Sequence, residues 1–449
     1  MSEKSKTFDF VHIETVFSSE HERNISFLSD KYNQPGLLKE KIRNLTKDAF
    51  NSNHTICGKS VLLKPNWVTH DRKEQDAFCL RTNDNLLLAF VEIMLEYNPS
   101  RILIGDAPIQ NCNWNKLLSH QFLKSIDTLQ QIHSIPIEIK DFRRVTFDPF
   151  KNELNKDRNP LSDYIIFDLE KSSYLEPISS VRNNFRVTNY DPGRLAQSHT
   201  LGVHKYCVTK ELFNADVIIS LPKVKTHQKT GITAALKNLV GINGDKDFLP
   251  HHRVGGQGLG GDCYPGKNIL RRTAEYFLDC ANKKQGKNIY RFYIILSKVF
   301  WRSSFPKVVH QLAAGWPGND TSWRMVMDLN RIAVFGKKDG TIAEVPQRSL
   351  YSFCDGIIGG QGDGPLNPEP LPLGILCFTN NSAMNDICMA TLMGFDFQKI
   401  ALLKTAYQNI IHKKIDLSMN EKIITLKDLQ AYSVPTLPPP AWVDYLSNT

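Results

Sequence analysis

"ELFNADVIISLPKVKTHQKTGITAALKNLVG", Glu211 to Gly241, decides the fold. A helix end leads into the apolar run Val217–Leu221, which stops at Pro222 before a basic loop. A short, nearly unbroken apolar run bounded by turn residues reads as a strand buried on both faces. After the loop, Thr230-Gly231-Ile232-Thr233 reads as a helix start, with Ala234, Ala235, Leu236 and Leu239 inside and Gly241 as the C-terminal stop.

Working outward, the same kind of run recurs as "SVLLKPNWV", "RILIGDAPI", "DYIIFDL", "RIAVFG", "DGIIGGQGDGP" and "LGILCFTN". Helical patterns fall between them: "NDNLLLAFVEIMLEY" with Asn83 near its cap, "WNKLLSHQFLKSI", and "GKNILRRTAEYFLDCANKK". Strands alternating with helices predict an α/β fold with a mostly parallel central sheet flanked by helices, open to division into two lobes. Ligands of such sheets gather beyond the strand C-termini. Residues 1–54 read as an N-terminal extension packing on the core. Residues 55–405 read as the α/β domain, with insertions near 142–194 and 250–330. Residues 406–449 read as a C-terminal segment whose proline-rich tail "VPTLPPPAWVDYL" lies extended along the surface.

The 449 residues are 41% hydrophobic and 22% charged, values of an ordinary globular chain. The net charge of +9 suits anionic small molecules, acidic polymers or a membrane surface, and does not call for nucleic acid. Cysteines stand at 57, 79, 112, 207, 263, 280, 354, 377 and 388. No two are separated by just two residues, so zinc ribbons, ferredoxin clusters and thioredoxin motifs find no support, and no iron–sulfur cluster is expected. An odd, unpaired count fits a reducing compartment. With no signal-peptide core and no run of eighteen apolar residues, the reading is cytoplasmic. Residues 290–316 are aromatic and basic, fitting either a peripheral membrane contact or a core helix with basic ends.

Candidate site residues concentrate in Lys223–His252, which holds five lysines and three histidines. Lys223, Lys225, His227 and Lys229 precede the expected helix, whose amides at Thr230 and Gly231 would complete an anion site. Lys237, about two turns in, and Asn238 beside it would face the same anion. The plain alternative is a solvated basic loop. His227, His251 and His252 are candidates for proton transfer or for a divalent metal, the last two on a covering loop. Gly256, Gly258 and Gly261 have dinucleotide spacing but follow no strand, so a lid or anion-cradling loop is the better reading. Lys64 and Asn66 end one strand, and Asp106 ends another, as a base, a metal ligand or a cap. Gly362, Asp363 and Gly364 offer close backbone approach and a carboxylate. Asp386 either serves a helix dipole or looks into the pocket.

Together "VLLKPNWV", "ILIGDAP", "DVIISLPKVKTHQKTGITAALKNLVG", "GGQGDGP" and "NDICMATLMGFD" resemble, in order, the family called domain of unknown function 362, over roughly residues 55–400. Many members carry a ferredoxin module; this sequence has no such cysteine module, so an iron–sulfur role is not implied. The family often has aspartate where Asn381 stands, before the retained Asp386, which argues against a two-carboxylate metal site there. By a looser, fold-level likeness, the basic loop and following helix are similar to the amino-terminal domain of nickel-dependent lactate racemase. The expectation is an enzyme acting on an anionic small molecule by lysine and histidine acid–base chemistry, with a divalent metal as one option. The alternatives are a binding or assembly module at a membrane face and a redox protein. Reaction, cofactor and oligomeric state are left open.

Overall fold

Along each central strand successive apolar side chains turn to opposite faces. Leu62, Leu103 and Ile218 enter one hydrophobic core, while Val61, Leu63, Ile102, Ile104 and Ile219 enter another. One sheet therefore separates two cores, as expected of an α/β sandwich of layers. The computed structural model describes residues 9–50, 55–148, 153–155, 158–304 and 314–447.

Among these, twelve strands form the central sheet: β1 (Asp9–Thr15), β2 (Ser60–Pro65), β3 (Arg101–Asp106), β4 (Ile137–Asp141), β5 (Val217–Leu221), β6 (Lys223–His227), β7 (Gly231–Thr233), β8 (Ser349–Asp363), β9 (Asn367–Leu371), β10 (Ile375–Thr379), β11 (Ile415–Met419) and β12 (Lys422–Ile423). The main path runs β12-β11-β1-β10-β8-β5-β2-β3-β4. From β8 to β4 all pairings are parallel, so β2, β3 and β5 end at one common edge. β10 is antiparallel to β8 and to β1. β6 continues beyond β5 beside β8 and folds back into β7.

Helices Pro35–Phe50, Asp84–Glu96 and His120–His133 cover one face. Asn83 caps the second, accepting from the Asn85 and Leu86 amides. Helices Ser322–Phe335, Ser382–Leu392 and Ala401–Gln408 cover the other. Residues 9–50 contribute a sheet strand as well as helices. Among the described residues no helix is long and apolar enough to cross a membrane.

Two readings are corrected. "RIAVFG" is the end of helix Ser322–Phe335, since its apolar residues also fit the helical period. "DYIIFDL" is a strand, Tyr164–Asp168, but of a separate three-stranded sheet with Val203–Thr209 and His199–Thr200. The segments 142–194 and 250–330 meet where Phe185–Arg186 pairs with His252–Arg253. The tail runs extended to Pro439, then coils through the 3₁₀ helix Pro440–Tyr445 and buries Trp442, whose indole N–H donates to the Gln228 carbonyl at 2.7 Å. The tail thus straps the β6–β7 hairpin instead of merely lying on the surface.

Candidate functional site

Lys64 is the last charged group of β2, and its side chain is wholly buried. A bare ammonium there would be costly, so its surroundings supply oxygens. Nζ donates to Asp106 Oδ1 at 2.7 Å, to the Pro65 carbonyl at 3.1 Å and to Asn238 Oδ1 at 3.2 Å. Asn66 donates to the same Asn238 oxygen at 3.1 Å, and Asn238 donates back to the Lys64 carbonyl and to Ser220. Asp106 also accepts the Trp67 and Ala107 amides, at 2.7 and 2.9 Å. It therefore clasps strand ends and is not a free base. Gly241 lies against this clasp: a Cβ there would stand 2.8 Å from Lys64 Nζ and closer still to Asp106 Oδ1.

Around the clasp gather four more lysines. Lys237 lies within electrostatic reach of Lys246, Lys229, Lys225 and Lys64. His227 feels Lys237, Lys229 and Lys225; His251 feels Lys229, Lys246 and Lys237; His252 feels Lys229 and Arg186. Burial is the largest cause in each case, and like charge adds to it. Lys225 and Lys237 are brought down from 10.5 to about 7, Lys229 and Lys246 to about 8. All three histidines fall well below their usual range and are neutral near pH 7. Lys225 donates to the Leu80 carbonyl. Lys229, Lys237 and Lys246 are half-buried, and no hydrogen bond or ion pair engages their ammonium groups among the described residues.

The rest of the expected site is redistributed. Lys223 is not in the cluster: it pairs with Asp355 at 2.8 Å and takes a bond to Tyr32 at 3.0 Å, all three buried. Thr230–Thr233 does not begin a helix. Gly231, at φ +80°, closes the tight hairpin from β6 to β7 opposite His227, and the Thr230 hydroxyl bonds the Ile232 carbonyl. The following helix, Ala235–Asn238, is a single turn, and Asp386 already accepts its Ala235 and Leu236 amides at 2.7 and 3.0 Å. Lys237 accordingly lies half a turn, not two turns, inside. The helix-amide anion site is thus filled by the protein's own carboxylate, which burial lifts to about 7. The expected loop-then-helix, on which the likeness to lactate racemase rests, is here a hairpin followed by one helical turn. Asn381 caps its own helix on Met384 and donates to Asp9, so it does not join Asp386. Asp363 is exposed, bonded to Gln228, and in no ion pair with the cluster among the described residues. Gly362 and Gly364 offer their carbonyls to the Thr226 hydroxyl and the Gln228 amide.

Residues 178–391 match the family model described as "Domain of unknown function (DUF362)". The segment is a DUF362 domain. Every lysine and histidine of the cluster except Lys64 lies inside it. No curated protein matches the sequence. A structural-genomics crystal structure of a protein from Thermotoga maritima aligns at 9% identity and TM-score 0.34, over 83% of this chain and 59% of that one. This chain thus spans 59% of that protein's length.

Within the DUF362 segment the sequence reading misses Lys246 as a site residue, because its neighbours Asp245 and Asp247 give it the look of a solvated loop. It also misses Asp355, whose signal is a lone carboxylate in an apolar strand: such a group needs a buried cation, and Lys223 is it. A cleft of about 1260 Å³ opens elsewhere, where β1 and β8 begin. Asp9, Asp48 and Glu344 there face Arg331, Arg348 and Lys413, a balanced lining, and none of the clustered lysines takes part. Ammonium groups without hydrogen-bond or ion-pair partners among the described residues, not volume, distinguish the lysine cluster.

Proposed function

We propose that this chain is an enzyme acting on an anionic small molecule, a phosphorylated or carboxylated compound, held between Lys225, Lys229, Lys237 and Lys246. The observation that carries the reading is five lysines brought together, of which Lys64 alone is ion-paired among the described residues, to Asp106, while Lys229, Lys237 and Lys246 have no ammonium partner there and Asp76, Asp245 and Asp262 act on the cluster only through space. Buried like charges oppose folding, and a bound anion offsets that repulsion with charge-assisted hydrogen bonds. Proton transfer in this reading falls to Lys225 or Lys237. Their values near 7 match the ambient pH, as general acid–base catalysis favours, whereas the histidines are too weakly basic.

An anion raises each ammonium's pKa, so binding takes up protons and affinity falls as pH rises from 7 to 9. Titration calorimetry with inorganic phosphate and with citrate at pH 6.5, 7.5 and 8.5 reads this directly. Wild-type protein should bind one of them with that slope, K237M more weakly, and a mass-spectrometric screen of phosphate esters and hydroxy acids should show turnover that K225M or K237M lacks. No binding of either anion, or binding indifferent to K237M, sinks the proposal.

A second reading, contact with an anionic membrane face through 290–316, is favoured by one observation. Phe292, Ile295 and Val299 form an exposed stripe on helix Ile289–Arg302, with Arg291, Lys298 and Arg302 on the same helix. Part of this stretch, 305–313, lies outside the described residues. Co-sedimentation with phosphatidylserine vesicles, lost in F292S/I295S, tests it.

A further inference from the structure

The glycine-rich stretch after His252 brings three metal-ligating side chains together. A ring nitrogen of His252, the Cys263 sulfur and a Glu275 carboxylate oxygen all lie within 4.8 Å of one another, and all three residues are buried. They come from different elements. His252 sits on the short strand His252–Arg253, Cys263 follows the Gly255–Gly261 loop, and Glu275 faces inward from helix Ile269–Asn282. The loop is held against the helix because the Gly255 amide donates to both Glu275 oxygens, at 2.8 and 3.0 Å. His252 is 3% exposed, yet its Nδ1 has no hydrogen-bond partner among the described residues. A buried polar atom without a partner costs stability unless something else occupies it.

We propose that His252, Cys263 and Glu275 bind a divalent transition-metal ion, zinc by the chemistry of the donor set. One imidazole, one thiolate and one carboxylate are donors zinc accepts, and three protein ligands leave a tetrahedral position for water. Bonds of about 2.0–2.3 Å place tetrahedral ligands roughly 3.5 Å apart, a modest contraction from the separations here. Arg272, 3.6 Å from Glu275, and Lys229, beside Cys263 and His252, already oppose any cation. A hard ion held by charge alone is thereby disfavoured, and an ion that bonds sulfur is selected. The site goes beyond the anion reading and does not rest on it: Lys229 borders both, but metal uptake needs no anion.

The test uses the full chain, dialysed against chelator and titrated with cobalt(II) and zinc(II) in buffer free of phosphate. One cobalt per chain should bind with a near-ultraviolet thiolate-to-cobalt charge-transfer band, which zinc then abolishes. C57S should keep the band and C263S lose it. H252Q and E275Q should weaken binding by more than the roughly 10–100-fold that loss of an outer-shell partner costs. Far-ultraviolet circular dichroism monitors folding of each variant. Absence of the band in wild-type protein overturns the proposal whatever the variants do. So does a band that survives in C263S.

Discussion

Gly241→Ala inverts the usual sign of a glycine replacement. Where the backbone permits it, Gly to Ala stabilises by about 0.4–1 kcal/mol through the unfolded chain. At Gly241 the new methyl would lie 2.8 Å from Lys64 Nζ and 3.0 Å from Asp106 Cγ, inside the buried pair itself. The backbone cannot retreat, because the Gly241 carbonyl holds the Ala107 amide at 3.0 Å. Overpacking alone costs about 1–3 kcal/mol, and a buried pair forced apart about 3–5 kcal/mol. With an unfolding entropy of about 2.1 cal/mol/K per residue, 449 residues give about 0.9 kcal/mol/K. G241A should therefore melt about 3–5 °C below wild type in a calorimetric scan. Gly36, which has nothing within 4 Å of an added Cβ, serves as the control. G36A should melt at or slightly above wild type. A G241A protein as stable as G36A would refute the clasp between β2, β3 and the Gly241 turn.

Anion-free protein should gain stability between pH 7 and about 8.5. Lys225 and Lys237 titrate near 7 when folded and near 10.5 when unfolded, so the unfolded chain binds more protons there and each rise in pH favours the fold. Urea midpoints across that window check it, and a flat or falling series contradicts the lysine cluster. D355N strands Lys223 and should cost about 3–5 kcal/mol, while K223M/D355L, which removes both charges, should recover most of it by the same urea measurement. D386A uncovers the Ala235 and Leu236 amides and should cost about 0.5–2 kcal/mol, with D386N losing less because one acceptor oxygen remains.

Strands β2, β3, β5, β8 and β10 are legible because each is a compact apolar run closed by turn residues, and the Asn83 cap is legible from its chemistry. "RIAVFG" is not, since six residues cannot separate a period of 2 from one of 3.6. Within the site, Lys64 and Lys225 are legible as cations near strand ends, and His227 and Lys237 as members of the basic stretch that follows β5. What a partner at long range does to a cation is not. Lys223 and Lys225 look alike in sequence, two residues apart, yet Asp355 neutralises the first while the second donates to the Leu80 carbonyl and makes no ion pair among the described residues. Asp386 likewise reads as a helix-start carboxylate, and nothing local says that it serves another helix 150 residues away. Trp442 is hidden by its prolines, which signal an extended tail and not an anchor.

That anchor gives folding a timetable. Gln228, which Trp442 ties down, is 214 residues upstream, and β1 waits still longer, its Phe10 amide meeting Asn380 across 370 residues. During synthesis the hairpin carrying Lys225 and Lys229 must sit unfastened beside a half-built sheet until Trp442 has emerged. Strand β1 and the β6–β7 hairpin are thus both fastened late, and chaperones have a long opportunity on those two pieces.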